Sequence, residues 1–298
     1  MTPVTLDISG GRAQTCTRMT TWKLSPALVV MALSVVACAR NPPSPPAGAR
    51  PQGVVRVAHP GVTPFVREVV MDPSRLEADR ELDAGRHPEE LLAFLEVAPG
   101  MRMGEIGAGG GYTTELVARA VGERGRVFAE NNRFVLERFA AKPWADRLQR
   151  PATRNVVRVD REFDDPFPPE ARDLDGVYVV LFYHDIVWMG GDRDRMNRAV
   201  FDALRPGGYY VIVDHAARPG SGAADTQTLH RIDEAFVIAE VERAGFKLRT
   251  VGDFLRNPVD KRDWNASPKT AGERRGTSDR FALQFVKPAR NTSPGTGG

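Results

Sequence analysis

The stretch "GEIGAGGGYTTE", residues 104–115, decides how the rest of this 298-residue chain is read. Glycines alternate at Gly107, Gly109 and Gly111, with Gly110 among them, after a short apolar run and before a helix-forming one. A glycine-rich turn between a strand and a helix brings backbone N–H groups close to a ligand at the helix N-terminus. A dinucleotide fingerprint, G-x-G-x-x-G, needs a third glycine so that helix and strand pack tightly. Counted from Gly107 that position is Tyr112, and counted from Gly109 it is Thr114, so both registers fail. The phosphate-binding pattern G-x-x-x-x-G-K-[ST] is absent as well. What fits is E-x-G-x-G-x-G, with Glu105 two residues ahead of the first glycine. An acid there would repel a pyrophosphate and suits a ligand carrying a cationic ammonium group.

Working outward, strands and helices alternate. "HPEELLAFLEV" (87–97) has Pro88 at a helix start and acids in its first turn. "MRMGEI" (101–106) is a short strand entering the loop, and "YTTELVARAV" (112–121) has helical spacing. "GRVFAE" (125–130), "NVVRV" (155–159), "DGVYVVLFY" (175–183) and "YYVIVD" (209–214) read as strands. The continuous apolar run of "DGVYVVLFY" marks a central strand buried on both faces. "RFVLERFAAK" (133–142), "DRDRMNRAVFDAL" (192–204) and "TLHRIDEAFVIAEVERAG" (228–245) read as helices, the last as one long amphipathic helix. "FKLRTVG" (246–252) and "DRFALQFVK" (279–287) are strands with no helix between them. The expectation is an α/β fold, a doubly wound and mostly parallel sheet whose last strand runs antiparallel.

The chain resembles the class I S-adenosylmethionine-dependent methyltransferases over about residues 72–288, on the loop motif and on "LRPGGYYVIVD" (204–214). The resemblance implies a seven-stranded Rossmann-like sheet with S-adenosylmethionine as cofactor, held by Glu105, Gly107, Ala108, Gly109, Gly111 and Tyr112. In that family an acid ending the second strand holds the ribose hydroxyls. The count lands on Asn131 with Glu130 just before it, so the resemblance leaves both in play. Glu162 and Phe163 in "VDREFDD" (159–165) would meet the adenine, with Asp160 and Asp164 as rivals. "FYHDI" (182–186), "VDHAARPGSGAADTQTLHRIDEAFVIAEVERAGF" (213–246) and "LRNP" (255–258) resemble more narrowly a subgroup of bacterial methyltransferases, often exported, without assigned substrates.

Methyl transfer requires an aligned acceptor and, for some acceptors, a group that takes its proton. The acceptor end of this fold lies at the ends of the fourth and fifth strands, where the chain places Tyr183-His184-Asp185 and Asp214-His215, with His230 in the following segment. His184 is expected as general base with Asp185 orienting it, while Tyr183, His215 and His230 shape the pocket. The same side chains offer donors enough for a divalent ion. The carboxylate-and-amide pattern of the family's metal-dependent members is not evident, and no metal is assigned. Arg75, Asp79 and Arg86, ahead of the core sheet, read as surface residues; next to His230 and Arg231, Asp233 and Glu234 read as facing solvent or pairing with nearby arginines.

The partner implied is a small-molecule methyl acceptor. The formal charge of +3 is spread along the chain with no basic run interleaved with aromatics, which argues against a nucleic-acid partner. Met19 starts a conventional leader, residues 19–38, whose apolar run "LSPALVVMALSVVAC" (24–38) ends in a lipobox-like Val35-Val36-Ala37-Cys38. Residues 1–18 read as an unused upstream start, 39–60 as a Pro/Gly-rich tether, 61–290 as the catalytic domain and 291–298 as a tail. The expected location is periplasmic, anchored to a membrane only through lipid on Cys38, or cytoplasmic if the leader is not used. Cys16 and Cys38 are the only cysteines, so the domain has no disulfide and no cysteine nucleophile. Two other readings compete: a cofactor-binding module without turnover, which export away from the cytoplasmic cofactor supply favours, and a nicotinamide oxidoreductase, which Tyr112 weakens.

Overall fold

The structure is a computed structural model that describes residues 53–289. The expected leader, the lipobox and the tail 291–298 lie outside the described residues.

The first strand, β1 (Val55–Val57), is followed by three short helices, α1 (Pro64–Met71), α2 (Glu77–Arg86) and α3 (Pro88–Phe94). Then come β2 (Arg102–Ile106), α4 (Tyr112–Val121) and β3 (Arg126–Glu130). The segment read as one helix from 133 is α5 (Arg133–Val135), a π-helical turn (Leu136–Ala140) and α6 (Ala141–Leu148). It leads to β4 (Val156–Val159), β5 (Leu174–Val180), α7 (Tyr183–Trp188), α8 (Arg193–Ala203) and β6 (Leu204–His215). The chain closes with α9 (Thr226–Leu229), α10 (Glu234–Arg243), β7 (Lys247–Gly252) and β8 (Arg280–Val286).

The strands form one sheet in the order β1-β7-β8-β6-β5-β2-β3-β4. All neighbours are parallel except β8, which runs antiparallel to both β6 and β7. Its direction follows from the loop after β7, which has no crossover helix to carry the chain back. The chain winds one way from β2 through β3 to β4 and the other way from β5 to β6. The switch point therefore lies between β2 and β5, and the crevice beyond their carboxyl ends is the ligand position of such sheets. β5 and β6 are buried on both faces, which is why they read as unbroken apolar runs.

Two expectations give way. The sheet has eight strands, because Val55–Val57, inside the segment read as a tether, pairs as an edge strand with β7. The long helix expected over 228–245 is broken. α9 ends at His230, which takes a left-handed conformation (φ 49°). Ile232 then bridges to Ala216 beyond β6, and the side chain of Asp233 caps the restart of α10 at Ala235. The backbone groups at 230–233 are thus satisfied by sheet and cap instead of by helix.

The residues ahead of β2 are not a surface appendage. Arg75 and Asp79 are buried. Arg147 of α6 reaches Asp79 of α2 with two hydrogen bonds of 2.5 and 2.9 Å and Glu115 of α4 at 2.6 Å. Its Nε donates to the carbonyl of Gly110 at 3.1 Å, so one guanidinium ties two helices to the glycine loop. Removing it strands the Asp79 carboxylate in a dry site. Arg147→Ala is expected to cost about 3 to 5 kcal/mol, read by chemical denaturation. A cost below about 1 kcal/mol would show that the network does not hold the loop.

Candidate active site

The glycine loop leaves β2 and enters α4 at the carboxyl edge of the sheet. Gly107, Gly109 and Gly111 all have positive φ, 71°, 56° and 81°. A Cβ on Gly107 would stand 2.1 Å from the ring of Phe182, and one on Gly111 would stand 2.7 Å from Trp144. A Cβ on Gly109 would meet nothing within 4 Å. The loop is packed at both ends and open in the middle.

Its inner side is tied to β3. Asn131 accepts from the Gly109 N–H at 2.8 Å and donates to the Gly109 carbonyl at 3.1 Å. That amide holds the loop backbone from the sheet side. Glu130, 0 % exposed, accepts from the Gly107 N–H at 3.1 Å through Oε2, while its Oε1 is buried without a partner among the described residues. Burial pushes the Glu130 carboxyl well above the ordinary range. The Gly107 bond opposes this, and like charges on Glu162 and Asp160 reinforce it. Glu105 lies beneath the loop, 3 % exposed, accepting from Thr114 Oγ1 of α4 at 2.5 Å. Burial raises its pKa to about 7, against the bond from Thr114.

Beyond β3 and β4 a cleft of about 370 Å³ opens between Arg133, Leu136 and Glu137 on one side and Asp160, Arg161 and Glu162 on the other. Glu162 stands exposed at its rim, whereas Phe163 is buried with its ring 5.6 Å from that of Phe182. On the other flank, Tyr112 opens α4 and donates to Asp83 at 2.7 Å. Arg86 lies 4.5 Å over the Tyr112 ring, with no ion-pair partner among the described residues. Burial lowers its pKa; the neighbouring Tyr112 opposes this and Arg275 adds to it.

The histidines meet beyond the carboxyl ends of β5 and β6. His184, at the start of α7 and 2 % exposed, has Nδ1 2.7 Å from Asp214 Oδ1, and its backbone N–H donates to Asp214 Oδ2 at 2.8 Å. Its Nε2 is 3.2 Å from His230 Nδ1 and 3.2 Å from Asp185 Oδ1. Asp185 Oδ1 is also 3.1 Å from His230 Nδ1 and accepts from Trp188 Nε1 at 2.7 Å. The expected orienting role of Asp185 therefore belongs to Asp214, which fixes the ring from behind. Burial acts to lower the His184 pKa, but the carboxylates of Asp214 and Asp185 outweigh it and lift the value to about 10. Both ring nitrogens are engaged, Nδ1 by Asp214 and Nε2 by Asp185 and His230.

His215 points away, its Nδ1 2.7 Å from Ser278 Oγ, and burial together with the nearby cations of His184 and Arg280 holds it neutral. Tyr183 is wholly buried with its hydroxyl on Glu240 and Asn197, a packing position and not a pocket wall. Arg231 is buried too, paired with Asp260 at 2.9 Å. The sequence reading passed over Asp214 as an orienting group. Its signal was a charged residue closing an otherwise apolar buried strand, where an unpaired carboxylate is too costly to keep.

Residues 72–160, from α1's end through β4, match the family model "Protein-L-isoaspartate(D-aspartate) O-methyltransferase". That match is to a methyltransferase family. It spans the glycine loop, Glu130 and Asn131, and ends just before the histidine-bearing half. Solved structures with similar folds include a SAM-dependent methyltransferase from Aquifex aeolicus, 17% identical over 74% of this chain and 97% of that one, with a TM-score of 0.49. An arsenic(III) S-adenosylmethionine methyltransferase from Chlamydomonas reinhardtii is 16% identical over 76% of this chain and 75% of its own, at 0.48. Fibrillarin from Aeropyrum pernix, solved with natively bound S-adenosyl-L-methionine, is 18% identical over 64% and 68%, at 0.41.

The loop's geometry separates two glycines that look alike in sequence. Gly109→Ala meets no atom and costs about 1 to 2 kcal/mol from its left-handed φ alone. Gly107→Ala adds the overlap with Phe182 and costs about 3 kcal/mol or more. Thermal melts of the two variants are expected to differ in that order, and equal melting temperatures would refute the packing.

Proposed function

We propose that this protein is an S-adenosylmethionine-dependent methyltransferase acting on O or N of a small molecule. The observation that carries the reading is a glycine loop open at Gly109 beside a buried, unpartnered Glu130 Oε1, both inside the segment matched by the methyltransferase family model. An acceptor oxygen buried without a donor fits a hydroxyl-bearing ligand. When bound, the cofactor supplies a methyl group on a positively charged sulfur.

Each neighbouring group has a part. Glu130 Oε1 would accept from a ribose hydroxyl, and the loop N–H groups and the N-terminus of α4 line the approach. The cleft at Arg133, Leu136 and Glu162, with Phe163 behind it, would take the adenine. Arg86, without a carboxylate of its own, would answer the methionine carboxylate, and Glu105 beneath the loop would answer the ammonium. The acceptor end is the His184, Asp185 and His230 group. His184 is nearly closed off while the Asp185 and His230 side chains are 18% and 22% exposed, a narrow mouth that favours a small acceptor.

Calorimetry is expected to show S-adenosylmethionine binding that Gly109→Val abolishes and that Glu130→Gln weakens about tenfold or more. Glu105 adds a sign that can be checked. With its pKa near 7 the apo carboxyl is partly protonated at neutral pH. A bound cation favours the carboxylate, so binding releases protons near pH 7 and the release disappears in Glu105→Gln. No binding at millimolar cofactor removes the methyltransferase reading. Binding without proton release leaves Glu105 as a strut between β2 and α4.

We further propose, on the leader and lipobox alone, that the protein is exported and anchored through Cys38. Fractionation is expected to find it with membranes and to find Cys38→Ala released from them. An unchanged distribution in the variant would refute the anchor.

A further inference from the structure

Three potential ligand atoms converge at the mouth of the acceptor end, and an ion bound among them would displace the ring protons now shared between them. His184 Nε2, His230 Nδ1 and Asp185 Oδ1 form a nearly equilateral triangle with sides of 3.2, 3.2 and 3.1 Å. An ion bound at about 2.1 Å to each of three adjacent ligands holds those ligands about 3 Å apart. The geometry points to a divalent transition-metal site built from two imidazoles and one carboxylate, where the sequence reading assigned none.

The surroundings fit the same purpose. A metal-binding histidine usually donates its second ring N–H to a carboxylate, which leaves the other nitrogen bare for the ion. His184 Nδ1 does this toward Asp214 at 2.7 Å. A ligating carboxylate is usually held by a donor in turn, and Trp188 Nε1 holds Asp185 Oδ1 at 2.7 Å. His230 reaches the point only because α9 stops at it with φ 49°, turning the ring back toward α7. His215 is excluded from the set by its bond to Ser278.

The donor set selects the ion class. Two imidazole nitrogens and one oxygen suit zinc, cobalt(II), iron(II) or manganese better than magnesium or calcium, which prefer all-oxygen shells. Ligands on one face leave the opposite positions open toward the mouth. Resting on the methyltransferase reading, the ion would bind the acceptor oxygen there and acidify its hydroxyl, with the proton leaving to solvent.

The test is cobalt(II) titration of the purified full-length protein after chelator treatment, followed by visible absorption. One equivalent is expected to bind with a ligand-field band. His230→Ala and Asp185→Asn are expected to abolish the band, and Asp214→Asn to weaken binding about 10- to 100-fold. His59→Ala, at an exposed histidine near β1, is expected to bind as wild type. Thermal melts of the apo variants separate loss of a ligand from loss of the fold. Absence of a stoichiometric site in wild type, or a band that survives in folded His230→Ala and Asp185→Asn, overturns the proposal. Cobalt binding without cofactor binding leaves the metal centre and removes the methyltransferase reading; cofactor binding without cobalt does the reverse.

Discussion

The acceptor half of the molecule hangs on one buried carboxylate. Asp214, wholly shielded from solvent, receives the backbone N–H and ring Nδ1 of His184 and the backbone N–H of His215, each at 2.7 or 2.8 Å. A charge placed there without donors would cost several kcal/mol. With three of them it becomes a clamp between the carboxyl ends of β5 and β6. Parallel neighbours bring those ends side by side; the carboxylate fixes how the chain leaves both, and so where the imidazole points.

The cofactor half is fixed by a different means. Asn131 and Glu130 bind the loop backbone from the sheet side, and Arg147 binds it from the helix side. The loop is thereby rigid before any ligand arrives, which lowers the ordering entropy a ligand must overcome. The halves touch where the Phe182 ring lies on Gly107, one residue pair beside the switch point. A side chain at 107 would wedge them apart, and this is the glycine that close approach requires.

The winding of the sheet was legible because strands buried on both faces leave unbroken apolar runs and because the missing helix before β8 is visible as such. The glycine register was legible from Tyr112 and Thr114, which fill the third-glycine positions, and from Glu105 ahead of the loop. The break at His230 was not. "TLHRIDE" has good helical spacing, and only the pairing of Ile232 with Ala216, across sixteen residues of sequence, makes the chain leave the helix. β1 is three residues after a Pro/Gly stretch, two of them exposed, and is too short to show a period. The pairing of Arg147 with Asp79 spans 68 positions, and nothing local marks either residue as buried. In the site, histidines at strand ends could be placed, but which carboxylate served which nitrogen is a property of three dimensions.

The π-helical turn at Leu136–Ala140 gives the helix after β3 two unrelated jobs. Such a turn holds one more residue than an α-helical one, so it rotates everything downstream by a fraction of a turn relative to everything upstream. Before it and at its start, Arg133, Leu136 and Glu137 line the cleft opposite Glu162. Downstream, Trp144 and Arg147 face the glycine loop. A regular helix of the same sequence would keep one phase throughout and satisfy only one of those faces. Deleting a single residue within the turn would therefore act as a phase error, uncoupling the wall of the cleft from the support of the loop while leaving every side chain in both present.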